Sequence, residues 1–357
     1  MRTEEFDFDA TSGVLPSDPG ELRGKCRGTG RMVVLDRVAG SIGHTVFTRI
    51  HDYLRPGDLV VLNDSYVLSN TLAFRPDGDH RGDVVDVVVY GHEPDGTTIA
   101  RTTSAQPFPG LTATSVDDEG FTCTFLEPQP DGLWRVGFAP ADRLPEVLDR
   151  FGRRVDDTVH LDPAHWRDSP QAYRSVYAAK PGSLDIPSAG LHFSGEQLAR
   201  LAAEGVEFAH ITLHVGATET FAVRHISAEE VEQHEVRSEY FEVDAEAAGK
   251  VNRAMAEGRR VVAVGTTVMR TLETLAAPHE PKAPIAARRA WTDLYIHPGF
   301  RFKVVDVLLT NLHRPRSSHL VLTAAFAGKD LVMDSYAEIL DRGGYEFDMF
   351  GDSMLIV

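Results

Sequence analysis

Polar side chains suited to binding or to proton transfer occur in short motifs through the second half of the sequence. Histidines accept or donate protons near neutral pH, and hydroxyl, amide and guanidinium groups can hold a carboxylate or a phosphate. Each such residue alone is more often structural, so a site requires a fold that brings several together. The candidates are Ser188, His192, His214, Glu219, His234, Glu239, Thr266, Thr267, Arg270, Asp306, Asn311, His313 and Asp352.

Several common chemistries lack their sequence signatures in this chain. No G-x-G-x-x-G opens a helix after a strand, and neither a G-x-x-x-x-G-K-[ST] loop nor an H-E-x-x-H helix is present. The G-x-S-x-G turn of serine hydrolases is also missing. His210 and His214 lie about 13 Å apart on one predicted strand, at about 3.3 Å per residue, which is too far to share a metal ion directly. We therefore expect no metal site.

One stretch, residues 186–221, joins a small-residue loop, a helix and a strand into a unit that could form one wall of a site. Ser194 and Gln197 have the spacing of a capping box at the helix start, and Gly205 suits the left-handed residue after a helix. Val206–Val215 then alternates as a strand does. Ile211, Leu213 and Val215 are expected on its apolar face, and His210, Thr212 and His214 on its polar face.

A second helix start carries groups that suit an anion. The predicted buried strand Val261–Val264 is followed by Gly265–Thr267 and by a predicted helix over Val268–Leu275. Free backbone amides at a helix start, beside two hydroxyls, can hold a carboxylate or a phosphate, and Arg270 lies one turn further on. The alternative is an ordinary threonine cap without a ligand.

The pattern of elements changes in the middle of the chain. From about Thr71 to Ala139, short strand-like pieces are separated by Asp, Gly and Pro at roughly 8–15 residues, as in a small barrel. The sequence on either side alternates helices and strands, which is typical of an α/β fold. The other expected elements are strands at Met32–Leu35, Leu59–Leu62, 294–296 and 304–313, and helices at Ala245–Glu257 and Ser318–Ala327.

Composition limits the class of protein. With 357 residues, of which 42% are hydrophobic, the chain is long enough for two domains with sizeable cores. The net charge of -17 argues against broad nonspecific nucleic-acid binding but leaves room for a local basic patch. Cys26 and Cys123 stand alone, so we expect no disulfide framework. No apolar run approaches the roughly 20 residues of a membrane span, and we expect a cytoplasmic protein.

Seven segments occur in this chain in the order in which they occur in one enzyme family. They are SAGLHF, ITLHVGA, HEVRSEYFEV, VVAVGTTVMRTLE, HPGFRFKVVDVLLTNLH, AAFAG and YEFDMFGDSMLI. The chain resembles the S-adenosylmethionine:tRNA ribosyltransferase-isomerase family of the queuosine pathway, over most of residues 172–357 and more weakly over residues 1–68. The resemblance implies a barrel-like α/β catalytic domain built from residues 1–70 and 151–357, with a small all-β barrel domain inserted at residues 71–150.

The resemblance also implies a reaction. The family transfers the ribosyl part of S-adenosylmethionine to an aminomethyl-deazaguanine base in a tRNA anticodon and isomerises it to an epoxycyclopentane, releasing adenine and methionine. S-adenosylmethionine is then a co-substrate, and no metal or second cofactor is implied. The sulfonium acidifies the adjacent 5′ carbon, so the protein must supply a base for that proton and a polar cradle for the donor.

Motif position and residue chemistry together assign roles to the candidates. His192 and His214 are expected at the reacting ribosyl unit, one of them as the base. Thr266, Thr267 and Arg270 are expected to hold a carboxylate or a phosphate, with Arg270 also in the catalytic group. The remaining candidates are Glu219 in the catalytic group and, among the substrate-binding residues, Ser188, Glu239, Tyr66 and an opposite wall of Asn311, His313 and Asp352.

The sequence departs from the family pattern where the acceptor should be recognised. Residues 63–70 read NDSYVLSN in place of N-T-R-V-I-P-A-R, which exchanges an arginine for Tyr66. RRVDDTVHLD replaces P-L-P-P-Y-I at residues 153–162, and Glu219 lies in a loop one residue longer than the family's G-T-F. Arg237 replaces the second histidine of H-x-M-H-S-E. Fewer arginines on that wall leave fewer contacts for RNA phosphates.

Three functions therefore stay open from the sequence. The first is the family reaction on tRNA. The second is the same donor chemistry on a free small molecule in specialised metabolism, by a paralogue with reduced dependence on tRNA. The third is a binding protein that keeps the fold without catalysis, which catalytic turnover would separate from the other two.

Overall fold

Helices and strands alternate along most of the chain, with a run of strands in its middle. We describe this organisation from a computed structural model over residues 1–10, 13–78, 84–102, 107–154, 163–217 and 225–357. The strands are β1 (Arg31–Asp36), β2 (Ser41–Val46), β3 (Leu59–Asn63), β4 (Ser65–Val67), β5 (Thr71–Pro76), β6 (Val85–His92), β7 (Thr98–Thr102), β8 (Thr112–Ser115), β9 (Thr122–Pro128), β10 (Trp134–Ala139), β11 (Lys180–Ser183), β12 (Glu207–Leu213), β13 (Glu239–Val243), β14 (Val261–Val264), β15 (Arg288–Thr292), β16 (Val307–Asn311) and β17 (Ser353–Ile356). The helices are α1 (Leu144–Phe151), α2 (Pro163–Asp168), α3 (Gly195–Ala203), α4 (Ala245–Ala256), α5 (Thr266–Ala276), α6 (Ser318–Ala327) and α7 (Lys329–Arg342).

The two ends of the chain build one nine-stranded sheet in the order β15-β13-β12-β3-β14-β16-β17-β1-β2. Its centre consists of β12, β3, β14 and β16, which run parallel to one another. Strand β17 pairs antiparallel with β16 and parallel with β1, so the end of the chain lies beside its beginning. A short parallel pair of β4 and β11 lies outside this sheet.

Both faces of the central strands are buried, which explains why they read as continuous apolar runs rather than alternating ones. In β3, Leu59 and Val61 belong to a core that includes residues of α4 to α7. Val60 and Leu62 point to a second core with Phe47 and with residues of α3. Because side chains alternate across a strand, helices on the two sides of the sheet each receive every second residue.

The middle of the chain forms a closed six-stranded barrel in the order β10-β7-β6-β5-β8-β9. Phenylalanines fill much of its interior, including Phe74, Phe121 and Phe125, and α1 contributes Leu148 to the same core. The prediction of a small barrel at Thr71–Ala139 is confirmed, as is the α/β class of the remainder. Within the described residues, the α/β sheet is open, with β15 and β2 at its edges, and the inserted unit is a closed barrel. The domain boundaries at residues 70/71 and 150/151 stay a prediction.

Buried hydrogen bonds attach the barrel to the α/β part. The Arg154 guanidinium donates to the carbonyls of Leu68, at 2.6 Å, and Leu184, at 2.8 Å. The amide of Ala217, in the loop after β12, donates to the carbonyl of Tyr90 in β6 at 2.9 Å. These bonds satisfy backbone groups that would otherwise be buried without partners, and they hold β6 against the end of β12.

The local helix signals in the sequence are confirmed. The amide of Gln197 donates to the Ser194 hydroxyl at 3.2 Å and the amide of Ser194 donates to the Gln197 carboxamide oxygen at 2.9 Å, which completes the capping box of α3. Asp244 caps α4 by accepting from the amide of Ala247 at 2.8 Å. Gly205 has the expected positive φ, of +90°. Within the described ranges, no helix is both long and apolar enough to cross a membrane.

Of two predicted strands, the one at residues 294–296 is wrong and the one at residues 304–313 is too long. In both segments, side chains accept hydrogen bonds from backbone amides that a strand would use for pairing. Residues 294–296 are not a strand, since the amide of Leu294 donates to the Thr292 hydroxyl at 3.2 Å and turns the chain after β15. The strand expected over 304–313 begins only at Val307. Its first amides, those of Val304 and Val305, both donate to Glu273 at 3.0 Å.

Glu273 anchors α5, the helix that begins beside the candidate site. Its side chain is 0% exposed and accepts from the amides of Lys303, Val304 and Val305. We expect Glu273→Ala to lower the free energy of unfolding by about 3 kcal/mol or more, because three backbone amides, two of them in buried hydrogen bonds, lose their acceptor. Urea unfolding measures this loss. Glu280→Ala, at an exposed position, is the control and should stay within about 0.5 kcal/mol of the parent; equal losses in both variants would contradict the anchoring role.

Candidate active site

A cavity opens where the four parallel central strands end. Open α/β sheets place ligands beyond the carboxyl ends of their strands, because the loops that follow diverge there. We call it the edge cavity; its space, including the solvent-open mouth, is about 610 Å³. It is lined by residues at or just after the ends of β3 (Asn63), β12 (Val215), β14 (Val264 to Thr267) and β16 (Thr310, Asn311 and His313), and by Tyr177, Ile186 to Gly190, His319, Asp348 and Met349.

Asn63 holds three of these elements together. Its carboxamide oxygen accepts from the amide of Leu213 at 2.9 Å, and its amide nitrogen donates to the carbonyl of Leu213 at 3.0 Å and to the Thr267 hydroxyl at 3.5 Å. The side chain therefore continues the pairing of β3 with β12 beyond the last backbone bond. Asn63 is 3% exposed, and its carboxamide oxygen also accepts from the amide of Ser65 at 3.2 Å, so the side chain closes a local turn as well as connecting the cavity wall.

The start of α5 presents backbone amides to the edge cavity. Gly265 occupies the N-cap with φ +92°. A Cβ atom added at this glycine would lie 3.4 Å from the Cβ atom of Ala189. The alternative of a threonine cap is wrong, because no side chain caps this helix and Thr266 is its first residue. The amides of the first turn and the hydroxyls of Thr266 and Thr267 thus suit a carboxylate or phosphate. Ser188 lies across the same cavity.

Arg270 is already paired in this structure. Its guanidinium forms an ion pair with Glu239 and donates to the carbonyl of Leu294 at 2.9 Å. Glu239 also accepts from the amide of Gly216 at 3.1 Å. Arg270 and Glu239 therefore act first on each other, and a ligand anion that uses Arg270 must compete with a buried carboxylate. The pair joins the start of α5 to the loop after β12.

Two stacked imidazoles line the edge cavity. The rings of His313 and His319 lie 5.2 Å apart between centroids, at 28°. Nε2 of His313 is 2.9 Å from the Thr310 hydroxyl, and its backbone amide donates to the Tyr336 hydroxyl at 2.6 Å. His319 was not among the predicted site residues. It lies in the first turn of the apolar helix α6, where the sequence HLVLT is typical of a helix buried in the core. Its position two residues after the capping Ser317 was the available signal.

His192 borders a different cavity, which we call the N-terminal cavity because residues 19–30 form much of its wall. The His192 ring is 9% exposed and stacks on Phe47 with 5.2 Å between centroids. Burial lowers the pKa of His192 to about 4, although the nearby Asn311 side chain acts in the opposite direction. Its Nε2 atom and the Asn311 carboxamide oxygen are buried without a hydrogen-bond partner among the described residues.

Asp352 does not line the wall expected for it. It borders the N-terminal cavity, where its carboxylate accepts from the amides of Arg31 at 2.7 Å and Glu346 at 2.9 Å. Burial raises the pKa of this carboxyl group. Asp352 therefore connects the start of β1 with the segment before β17, while Asn311 and His313 line the edge cavity.

His214 lies in a third cavity, between the barrel and β12, so the expectation that it shares a site with His192 is corrected. Its Nδ1 atom is 2.8 Å from the Ser65 hydroxyl, and desolvation lowers its pKa to about 4. Tyr66 borders none of the three cavities; its ring packs 4.0 Å from the Arg174 guanidinium, and its hydroxyl donates to Asp149 at 3.3 Å. Glu219 lies outside the described residues.

The described part of the chain contains no group of three or more His, Cys, Asp or Glu side chains arranged to hold a metal ion. The edge cavity offers amides, hydroxyls, imidazoles and the Asp348 carboxylate. Such groups bind an anionic or hydroxylated ligand and move protons.

Comparison with known proteins matches the whole chain. The family model of queuosine biosynthesis proteins matches residues 3–356. The S-adenosylmethionine:tRNA ribosyltransferase-isomerase of Thermotoga petrophila is 37% identical over 358 residues, and that of Desulfitobacterium hafniense is 36% identical over 362 residues, with 100% of both chains covered in each case. A crystal structure of S-adenosylmethionine tRNA ribosyltransferase from Thermotoga maritima superposes with a TM-score of 0.53 at 32% identity, over 99% of this chain and 100% of that one.

The buried His192 should make stability depend on pH. Its folded pKa of about 4 lies below the ordinary value of 6.5, so the unfolded chain binds the extra proton and stability falls as the pH falls from 6.5 towards 4. We expect His192 to account for a loss of about 2 kcal/mol between pH 7.5 and pH 5. Urea unfolding at both pH values should show a smaller loss in His192→Gln than in the parent. The exposed control His279→Gln should keep the parental loss; equal pH dependence in all three would refute the assignment.

Proposed function

This chain belongs to the queuosine biosynthesis protein family, and on that premise we propose that it transfers the ribosyl part of S-adenosylmethionine, with isomerisation, to an aminomethyl-deazaguanine base in tRNA. Adenine and methionine are the released products. The observation that carries the proposal is the edge cavity, because the motifs shared with the family supply its walls at the carboxyl ends of four parallel strands. Relatives named for this activity match over the full length.

The donor is proposed to bind with its methionine carboxylate at the start of α5. The first-turn amides and the hydroxyls of Thr266 and Thr267 are the anion-binding groups of the cavity. At the end of β16, the Asn311 amide donates to the carbonyls of Asp348 at 3.0 Å and Met349 at 3.1 Å, and its carboxamide oxygen, which has no hydrogen-bond partner among the described residues, is the atom left for a donor group of the ligand. The sulfonium would then lie within the cavity, where a base can reach the acidified 5′ hydrogen.

His319, stacked on His313, is proposed as the base that removes this proton. Both rings line the edge cavity, whereas Nε2 of His192 is buried and His214 faces another cavity. A pKa near 4 also makes His192 and His214 weak bases. Removal of the 5′ proton allows adenine to leave with the electron pair of its glycosidic bond, and the acceptor amine then attacks the ribosyl unit. Closure of the epoxide breaks the bond between carbon and sulfur and releases methionine.

A free small-molecule acceptor is the second candidate, and one observation favours it. The cations around the N-terminal cavity are paired within the protein rather than left for phosphates. Arg23 and Lys25 lie 2.8 Å and 2.5 Å from Glu346, and Arg27 lies 2.5 Å from Glu21. The tRNA acceptor is preferred because the match to named tRNA-modifying relatives includes the inserted barrel.

Product analysis with each acceptor tests the proposal. An anticodon stem-loop bearing the aminomethyl-deazaguanine base should release adenine and methionine, with log K for binding falling against log salt at about -0.7 to -0.9 per phosphate contact. Release with only the free base, and a flat salt dependence, would establish the small-molecule acceptor instead. Formation of S-adenosylhomocysteine would show methyl transfer and contradict the chemistry.

His319→Gln should separate binding from chemistry. Glutamine keeps hydrogen-bonding capacity but cannot take a proton, so we expect the rate of adenine release to fall by about 10²- to 10⁴-fold. The dissociation constant for S-adenosylmethionine, measured by calorimetry, should change only a few-fold. His279→Gln is the matched exposed control. A parental rate in His319→Gln would remove His319 from the role of base.

A further inference from the structure

The cavity that holds His214 is built separately from the edge cavity but shares a wall with it. We call it the junction cavity; it encloses about 540 Å³ including its mouth. Its walls come from Gly91 and His92 of β6, from His214 and Gly216 after β12, and from Tyr240 and Trp291 of β13 and β15. Val215 lines both cavities, so ligands in the two would lie on either side of one residue.

A chain of hydrogen bonds fixes which nitrogen of His214 carries the proton. The amide of Val215 donates to the Ser183 hydroxyl oxygen at 3.0 Å. Ser183 is fully buried, and within the described ranges the only acceptor for its hydroxyl hydrogen is Ser65, at 2.7 Å. Because buried hydroxyls use their hydrogens, Ser183 donates to Ser65, and Ser65 must donate to Nδ1 of His214, at 2.8 Å.

The neutral imidazole therefore carries its hydrogen on Nε2. With Nδ1 accepting from Ser65, the ring offers an N–H donor, and not a base, to a ligand of the junction cavity. Gly182 packs against this ring, since a Cβ there would come within 2.6 Å of Nδ1 and Cε1. The close approach holds the imidazole in place and explains why glycine is needed at that position.

The other groups of the junction cavity suit a flat, polar ring. Tyr240 lies nearly parallel to the His214 ring, at 19° with 6.0 Å between centroids, and meets Trp291 edge-on at 5.6 Å. Aromatic side chains such as these stack on heterocycles. Glu239 adds a carboxylate; its oxygens already accept from the Gly216 amide, at 3.1 Å, and from the Arg270 guanidinium, and their remaining lone pairs can accept a further N–H group. A guanine-like base has the three matching features: a carbonyl oxygen that accepts from His214, an N–H group that donates to Glu239, and an aromatic plane.

Resting on the proposed function, we propose that the junction cavity binds the deazaguanine base of the acceptor, with His214 Nε2–H donating to its carbonyl oxygen. The ring stacks against Trp291 and Tyr240, and its N–H edge faces Glu239. Since Val215 separates this base from the donor in the edge cavity, the aminomethyl group can reach the ribosyl unit from the other side. Both the tRNA and the free molecule carry the same recognised groups, so the cavity fits the base from either source.

Gly216→Ala tests the occupant by size. A Cβ at Gly216 would meet only the Tyr90 carbonyl oxygen, at 3.9 Å, so the fold tolerates it while the methyl group takes up space in the junction cavity. We expect the dissociation constants of free 7-aminomethyl-7-deazaguanine and of the stem-loop carrying it to rise about 10- to 100-fold. Affinity for S-adenosylmethionine should be unchanged. Gly249→Ala, whose Cβ would approach only the Arg253 side chain at 3.7 Å, is the matched control.

His214→Phe tests the hydrogen bond. The parent should discriminate by about 10-fold or more against a base analogue that lacks the carbonyl oxygen, and the variant should lose that discrimination. The free base and the stem-loop, assayed side by side, show which source the protein accepts. If both variants weaken the donor and leave base binding unchanged, or if the parent binds neither form of the base, the proposal is overturned. If Gly216→Ala weakens base binding but the parent protein shows no turnover, the base site is supported and the proposed reaction is contradicted.

Discussion

The buried side chain of Asn63 is the constraint on which the rest of the site depends. A carboxamide is the only side chain of this size with a donor and an acceptor in the geometry of a peptide group, so it can pair with both backbone groups of Leu213. That pairing extends the contact of β3 and β12 past their last backbone bond. Its further contact with Thr267 sets the start of α5 against the same strand ends. The edge cavity is the space that these three fixed ends enclose.

A second constraint is the short loop after β12, which lines both the edge cavity and the junction cavity. Val215 lines both, and the Gly216 amide is held by Glu239, which in turn holds Arg270 at the start of α5. The barrel closes the far side by bonding Tyr90 to Ala217. A donor and an acceptor placed on the two sides of this loop meet without leaving the protein, which is the geometric requirement of group transfer. The inserted barrel is thus proposed to be part of the acceptor site.

The features that sequence predicted are those with local causes. The capping box at Ser194, the buried strand Val261–Val264 and the glycine before Thr266 each depend on a few neighbouring residues and are present as expected. Which of the three cavities each polar residue lines depends on partners that are distant in the sequence. Asp352, for example, accepts from the amides of Arg31 and Glu346. The order of the motifs along the chain does not predict such contacts. His319 was missed because its helix is apolar throughout, and Arg270 looked available because its partner, Glu239, lies 31 residues away.

The central claim is that the carboxyl ends of the parallel strands bind S-adenosylmethionine. A crystal structure of the protein with S-adenosylmethionine, or with a non-reactive sulfonium analogue, tests it most directly. We expect the methionine carboxylate at the amides of Thr266 and Thr267, the sulfonium within reach of the His319 ring, and no donor in the junction cavity. Donor density in the N-terminal or the junction cavity, with the edge cavity empty, would contradict it.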